Sequence, residues 1–595
     1  MRTLRAAAAA IAVLLSLAGA GCERERERAP EPITSRPAAS APTAGGPSAP
    51  RPRFARRFID ITREASIRFR HVTGAYGEKL LPETLGAGAA FLDLDGDGVL
   101  DIFFVNSTRF SAGPPPDGDP PPACALYRGR GDGTFEDVTA AAGAGISLYG
   151  MGCAVADYDG DGDDDIYVTA VGENVLLCND EGRLRDVTQA AGVAGGRWQD
   201  HEGESHPEWS TAAAWADFDL DGVLDLFVAS YVEWTPETEI FTTLDGATKV
   251  FTTPERYRGL PCRLFKGRGD GTFEDASARA GLLDLEGKAL GVALWDFDRN
   301  GLLDVVVAND TRPNFFLSND RSGRFREEGL ALGIAYDANG RARAGMGIDV
   351  AEGARDGVPL VAIGNFSDEP MSLYAWRGDA GFASLENSSG LRSATYEPLA
   401  FGVLFLDADL DGIEDLAVVN GHIEPEIHRF YEKQTHAQSA QLFQGLGDRT
   451  FRDVSGDAGA EFVRPRVARG LAAGDIDRDG DLDLLITTNG GAPALLRNDA
   501  AQASSDRNHY LRVRLAGAGR NTRALGARVR LSAGGATQTR FARTGSSYLS
   551  QSEPTLTFGL GAATAVDRLE VTWPGGATRE YAVAGVDRMI EVREE

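Results

Sequence analysis

Residues 88–106 read GAAFLDLDGDGVLDIFFVN: small and apolar residues, a loop with an acid at alternate positions, then an apolar run rich in aromatics. The frame returns as CAVADYDGDGDDDIYVTA from Cys153, AAWADFDLDGVLDLFVAS at 213–230 and VALWDFDRNGLLDVVVAN at 292–309. It returns again as GVLFLDADLDGIEDLAVVN at 402–420 and LAAGDIDRDGDLDLLITTN at 471–489. Between the fourth and fifth of these, GMGIDVAEGARDGVPLVAIGN at 345–365 keeps the frame but has lost most of its acids. The loops begin at residues 93, 157, 217, 296, 349, 407 and 475, a period of about 64 residues, which makes seven units. Self-similarity at such a period marks a repeat architecture whose units bury their faces against one another.

A second marker recurs out of phase: GDGTFEDVT at 131–139, EGRLRDVT at 181–188, GDGTFEDAS ending at Ser277 and GDRTFRDVS at 447–455, with weaker forms at Phe325 and Phe382. Each unit therefore holds at least four strand-like pieces, the last two joined by a glycine turn. Four-stranded sheets repeated radially are propeller blades. FIDIT at 58–62 precedes the first loop and completes the unit left open near Leu496, closing the ring without an exposed edge. The displaced first strand and the long period argue against an open β-solenoid. The expected fold is all-β: a seven-bladed β-propeller over 54–505 followed by a small β-sandwich domain over 506–595.

In the first loop Asp93, Asp95, Asp97 and Asp101 stand at positions 1, 3, 5 and 9, Gly98 sits at position 6, and Val99 at position 7 can add its backbone carbonyl. Hard oxygen ligands at this density suit Ca²⁺, which takes six to eight; Mg²⁺ prefers more water and ranks second. The same roles fall on Asp157, Asp159, Asp161, Asp163 and Asp165, then on Asp217, Asp219, Asp221, Val223 and Asp225. They continue on Asp296, Asp298, Asn300, Leu302 and Asp304, on Asp407, Asp409, Asp411, Ile413 and Asp415, and on Asp475, Asp477, Asp479, Asp481 and Asp483. The loop at Asp349, with Ala351, Gly353 and Gly357 at the other positions, is expected to be empty, giving about six ions. An EF-hand would need Glu at position 12, where this chain has Phe104 or another strand residue; a dockerin places such loops on helices. Carboxylates converging in a partly dry loop repel one another without a cation.

The spacing DxDxDGxxD resembles the FG-GAP/VCBS repeats of integrin-α-type propellers over roughly residues 55–500. The pieces NTRALGARVRL (521–531), SSYLSQSEPTLTFGLG (546–561) and VTWPGG (571–576) resemble the ASPIC/UnbV domain, and the whole chain resembles the cartilage-acidic-protein-like family. That resemblance implies extracellular, calcium-associated, often adhesion- or matrix-related roles and no established reaction. The strands HYLRVRLAG, GARVRLSAGG, TQTRFARTG, LTFGLG and LEVTWPGG alternate as a small sandwich requires.

The formal charge of −28 argues against a nucleic-acid partner, whose phosphates demand a basic face. MRTLRAAAAAIAVLLSLAGAGC at 1–22 reads as a secretory signal peptide ending at Cys22, with Ala20 and Gly21 before it. It resembles the bacterial lipobox, although Gly19 stands where Leu is usual, and Glu23 after the cysteine favours the outer membrane. Residues 23–53 are rich in Pro, Ala, Ser and charge and form the expected disordered stalk. An oxidising envelope permits two disulfides among Cys124, Cys153, Cys178 and Cys262, in any of three pairings, and their spacing matches no zinc site.

RGD occurs at Arg130–Asp132 and Arg268–Asp270, inside the GDG turns of the repeat, so turn chemistry explains it better than integrin binding does. The polar insertion GGRWQDHEGESHPEWS (195–210) carries His201, His206, Glu202, Glu204 and Glu208 without an HExxH arrangement. It, the segment from Glu233 to Pro261 and NGHIEPEIHRFYEK (420–433) are inter-strand loops, where a propeller places binding function. Two function classes follow. One is a monomeric, non-catalytic envelope scaffold that binds a protein or glycan. The other is an envelope enzyme, of hydrolase or lyase type, with its site on the propeller face or central channel.

Overall fold

The computed structural model describes residues 54, 57–110, 121–352, 356–499 and 508–595; the signal peptide, Cys22 and the linker over 23–53 lie outside the described residues. Four-stranded antiparallel sheets follow one another along the chain. The first runs Ala89–Leu92, Asp101–Phe104, Ala125–Gly129, Phe135–Asp137, and the second Gly150–Ala156, Asp165–Ala170, Val175–Asp180, Arg183–Asp186. The third, fourth, fifth and sixth begin with Ser210–Ala216, Ala289–Trp295, Gly345–Glu352 and Ala400–Leu406 and have the same up-and-down order. The seventh takes Ala468–Gly474, Asp483–Thr488 and Ala494–Asn498 and adds Phe58–Asp60 from the other end of the chain, in the register Phe58↔Asn498 and Asp60↔Leu496. FIDIT thus completes the unit the last repeat leaves open.

The first strand of each sheet is buried along its length, save for Glu352 at the end of Gly345–Glu352, because both of its faces are covered. Each first strand packs on that of the next sheet, and Ala468–Gly474 packs on Ala89–Leu92. The all-β, propeller-like arrangement follows from that order. The acidic loops join first to second strands, so they share one face with the GDG turns that join third to fourth strands. Loops between second and third strands leave from the opposite face.

The C-terminal residues form a three-stranded sheet (Leu556–Gly561, His509–Ala516, Arg588–Arg593) and a four-stranded one (Ala536–Phe541, Arg528–Ala533, Arg568–Thr572, Thr578–Tyr581). Leu511, Val513 and Phe558 from the first share a core with Val529, Leu531 and Val571 from the second. Between the two sheets in sequence, the chain makes an excursion into the space between the first strands of the four-stranded sheets. Thr544 Oγ1 donates to Trp215 O at 2.9 Å and accepts from Trp215 N at 2.7 Å; the Gln551 amide does the same with Val155 at 3.0 Å each way. Ser547 and Ile348 exchange backbone bonds at 2.7 and 3.0 Å. Tyr548 goes deepest, its ring edge-on to Phe401 at 4.9 Å and its hydroxyl on Leu85 O at 3.0 Å.

Glycines in and next to the first strands make the space. A Cβ on Gly88 would stand 2.2 Å from Leu549 O, and one on Gly470 2.2 Å from Ser550 Oγ. Tyr548 is fully buried, so Tyr548→Ala should cost about 3–5 kcal/mol, the range for truncating a large buried aromatic, read as a shift of the urea midpoint. Ile59→Ala, on a residue 42% exposed in the closing strand, should cost less than ~1 kcal/mol. Equal shifts would mean the excursion is not part of the core.

Candidate metal centres

Six of the seven loops share one backbone path. The position-6 glycine lies at positive φ, from 77° at Gly98 to 106° at Gly162, and donates its N–H to one oxygen of position 1. Gly98 reaches Asp93 Oδ2 at 3.1 Å, Gly162 reaches Asp157 Oδ2 at 2.9 Å and Gly222 reaches Asp217 Oδ2 at 2.8 Å. Gly301, Gly412 and Gly480 do the same to Asp296, Asp407 and Asp475 at 3.1, 2.8 and 3.1 Å. The position-7 residues Val99, Asp163, Val223, Leu302, Ile413 and Asp481 each donate an N–H to the side chain at position 5, at 2.7–3.2 Å. Position 4 is left-handed even where it is not glycine: Leu220, Arg299, Leu410 and Arg478 have φ of 60, 61, 58 and 63°.

The position-9 aspartate is the deepest. Asp165 accepts from Tyr158 N at 3.0 Å in its own loop and from Asn179 N at 2.8 Å on the third strand. Asp101, Asp225, Asp304, Asp415 and Asp483 repeat the arrangement with Gly129, Gly267, Asn319, Gly445 and Asn498. Three of these third-strand asparagines also reach the preceding acidic loop through Nδ2: Asn179 to Leu94 O at 2.7 Å, Asn319 to Phe218 O at 2.8 Å and Asn498 to Ala408 O at 3.0 Å. Sequence reading missed these asparagines; their recurrence at one register of the third strand was the available signal.

Among the described residues, five groups of three carboxylates offer oxygens within 4.8 Å of one another: Asp93/95/97, Asp157/159/165, Asp217/219/225, Asp407/409/411 and Asp475/477/483. Asp93 Oδ1, Asp159 Oδ1 and Asp477 Oδ1 are buried there with no hydrogen-bond donor. Convergent, partly orphaned oxygens fit a hard cation. The loop at Asp296, where Asn300 replaces an acid, is not among those five groups. Its three acids do not converge; Asn300 Nδ2 donates to Asp298 Oδ2 at 3.0 Å, while Asn300 Oδ1 accepts from Leu302 N at 2.7 Å. In the loop at 217, the Lys266 ammonium already stands 2.6 Å from Asp219 and 2.7 Å from Asp221. Asp349 lies within a strand that runs on to Glu352, and its carboxylate takes Arg543 Nη2 at 2.6 Å and Phe405 N at 2.8 Å. Ala351 is buried in that strand, and Gly353 lies outside the described residues.

Burial, followed by repulsion from neighbouring acids, holds these carboxyls above the usual range. Asp101 and Asp225 are pushed up to about 7, Asp304 to about 8 and Asp165 to about 9; Asp407, Asp415 and Asp483 rise well above it. For Asp225, Lys266 works against the rise.

The C-terminal residues sit against this acidic face. Arg514 Nη2 lies 3.2 Å from Asp93 Oδ2, Thr522 Oγ1 2.5 Å from Asp157 Oδ2 and Arg512 Nη1 2.7 Å from Asp475 Oδ2. Each meets the same position-1 oxygen that receives the glycine N–H. Arg540 pairs with Glu414 at 2.6 Å and Arg523 with Asp164 at 2.9 Å. Spacing alone gave no access to these contacts, which join residues from 37 to 421 positions apart.

The remaining candidates do not converge. Asp132 and Asp270 of the two RGD stretches each accept the N–H and hydroxyl of a threonine two residues on, closing the turn. His206 bonds Asp200 at 2.9 Å and stacks on Trp198, His201 is exposed, and Glu208 pairs with Arg263. Cys124, Cys153, Cys178 and Cys262 are four buried thiols, so the disulfides the compartment would permit are not formed. Burial pushes Cys124 and Cys262 up to about 12.

These features mark a protein built from acidic-loop repeats, and comparison with known proteins agrees on the repeats. Residues 93–168 match the FG-GAP-like repeat, and residues 517–595 match the family described as ASPIC and UnbV. The chain is similar to cartilage acidic protein 1 of Xenopus tropicalis, 25% identical over 344 residues, and of Mus musculus, 26% identical over 346 residues. Each match covers 55% of this chain and 48% of that protein, so the chain spans about half the length of the curated relatives it matches. Among solved structures, a lectin from Agrocybe aegerita specific for non-reducing terminal N-acetylglucosamine aligns with TM-score 0.38 and 15% identity, over 68% of this chain and 85% of that one. BBS1N in complex with ARL6DN aligns with TM-score 0.40 and 11% identity, over 71% and 95%.

A buried acid whose folded pKa is raised adds stability below its unfolded value near ~3.9, and loses it as pH rises through the folded value. In chelator, the melting temperature should therefore fall between pH 5 and pH 8, across the values near 7 and 8 for Asp101 and Asp304. A bound cation offsets that loss, so the gap between calcium and EGTA should widen over the same interval. A gap independent of pH would count against cations at these carboxylates.

Proposed function

We propose that the seven sheets are the blades of one closed propeller over 54–505, that residues 506–595 form a β-sandwich docked on its acidic face, and that the acidic loops hold Ca²⁺ as structural ions. The convergence of position-1, -3 and -5 or -9 carboxylates around orphaned oxygens carries the calcium reading. Binding to the folded loops alone makes ion affinity part of folding free energy. EGTA should lower the melting temperature, and Asp97→Ala, which removes one ligand of one site, should lower it less than full chelation.

The proposed role is a non-catalytic scaffold, held at the cell envelope through lipidated Cys22 and most simply at the outer membrane, that grips a protein or glycan. Support for a scaffold over a channel-sited enzyme comes from the filling of the enclosed space by Tyr548 and Leu549, with Leu81 and Leu85 in the same core. The face opposite the acidic loops is built from insertions that brace one another. Lys79 pairs with Glu424 at 2.8 Å, Glu424 accepts from Phe251 N at 3.1 Å, and Leu81 N donates to Glu239 at 3.0 Å. On these insertions Phe241 is 62% exposed, Tyr431 49% and Tyr76 40%, aromatic surface of the type that anchors protein and sugar ligands.

A glycan array probed with the purified mature protein tests this reading. Signals lost in Phe241→Ser and Tyr431→Ser, with melting unchanged, would support a binding face there. No signal, or signals indifferent to both changes, would remove the glycan reading.

A further inference from the structure

In five of the six sheets that have an acidic loop, with Ser318 of the fourth donating to Glu328 instead, the loop is met by one residue position on the third strand. It precedes the Gly or Asn whose N–H is accepted by the position-9 aspartate, and it is Arg128, Cys178, Lys266, Ser318, Gln444 and Arg497 in turn. Where contact is made, it falls on the position-3 acid. Arg128 lies 3.6 Å from Asp95, Cys178 Sγ 3.7 Å from Asp159, Gln444 Nε2 2.8 Å from Asp409 and Arg497 Nε 4.0 Å from Asp477.

Lys266 alone among them engages three carboxylates of one loop. Its Nζ stands 2.6 Å from Asp219 Oδ1, 2.7 Å from Asp221 Oδ2 and 3.5 Å from Asp225 Oδ1, with the side chain 17% exposed. An ammonium has three N–H donors and a compact charge, so three converging carboxylates satisfy it. Those acids occupy positions 3, 5 and 9, three of the four acidic positions a divalent ion would use. Arg128 and Arg497 are longer, and their guanidinium groups also reach outward to Glu136 and Asp499.

We infer that the Lys266 ammonium is the resident cation of the loop at 217–225, a tethered substitute that excludes Ca²⁺ from this one of the five convergent sites. The proposal rests on the calcium reading of the other loops. Residue identity at a single register of the third strand then decides whether a loop takes a free ion or supplies its own.

Reciprocal exchange between the third and sixth sheets tests it. Lys266→Gln copies the residue the sixth sheet uses, and should raise the calcium bound per molecule by one, measured by elemental analysis after gel filtration. Gln444→Lys should lower it by one. Unchanged stoichiometry in either folded variant would overturn the proposal. Amine acetylation followed by mass spectrometry gives a readout independent of both variants and of calcium binding. In EGTA, Lys266 of the wild-type protein should react far more slowly than Lys433, whose side chain is 82% exposed, and adding Ca²⁺ should not change its rate. Fast labelling in EGTA, or labelling that rises with Ca²⁺ as the ion displaces the ammonium, would overturn it. Absence of calcium from the wild-type protein would refute the calcium reading instead, leaving the labelling in EGTA to decide this one.

Discussion

A buried carboxylate at the end of each acidic loop is the constraint on which the rest of the architecture hangs. Asp165 and its five counterparts accept one N–H from their own loop and another from the third strand, so each ties the turn between two strands to a third. Such a group costs free energy to bury unless its oxygens are satisfied, and satisfying them fixes the loop's path. The left-handed glycine at position 6 and the oxygen of position 1 that it meets then fall into place. The alternate acids face one centre as a consequence of that geometry.

Much of this was legible because local chemistry dictates it. The DxDxDGxxD spacing, the GDG turns and the β-branched runs specify loop, turn and strand residue by residue, and the displaced FIDIT strand found its partner in the register around Leu496. Cations supplied from elsewhere in the fold were not legible. Lys266 stands 41 or more positions from the acids it meets, and Arg512 and Arg514 come from another part of the chain. Asn300 was read as an equivalent oxygen ligand, yet an amide also carries donors, and here they turn onto Asp298. The four cysteines illustrate the same limit: composition permitted bridges, whereas in the fold each is a buried free thiol.

The two faces divide the work. One gathers acids, and the C-terminal arginines answer them, while the excursion carrying Tyr548 locks the same residues into the space between the first strands. Among the described residues the other face has no such counter-charge from the C-terminal sheets, and it presents braced insertions with exposed aromatics. A ligand arriving there would meet the insertions without disturbing the acidic loops.

The closing strand sets an order of events in the making of the molecule. Thr62 accepts from Leu495 N, a contact spanning 433 residues. Phe58–Asp60 is synthesised long before its partner strand and must wait for that pairing until the seventh sheet exists. Contacts of such separation form slowly, and an incomplete chain presents strand edges open to wrong partners. Whatever keeps the nascent protein soluble must therefore act until the seventh sheet has been delivered.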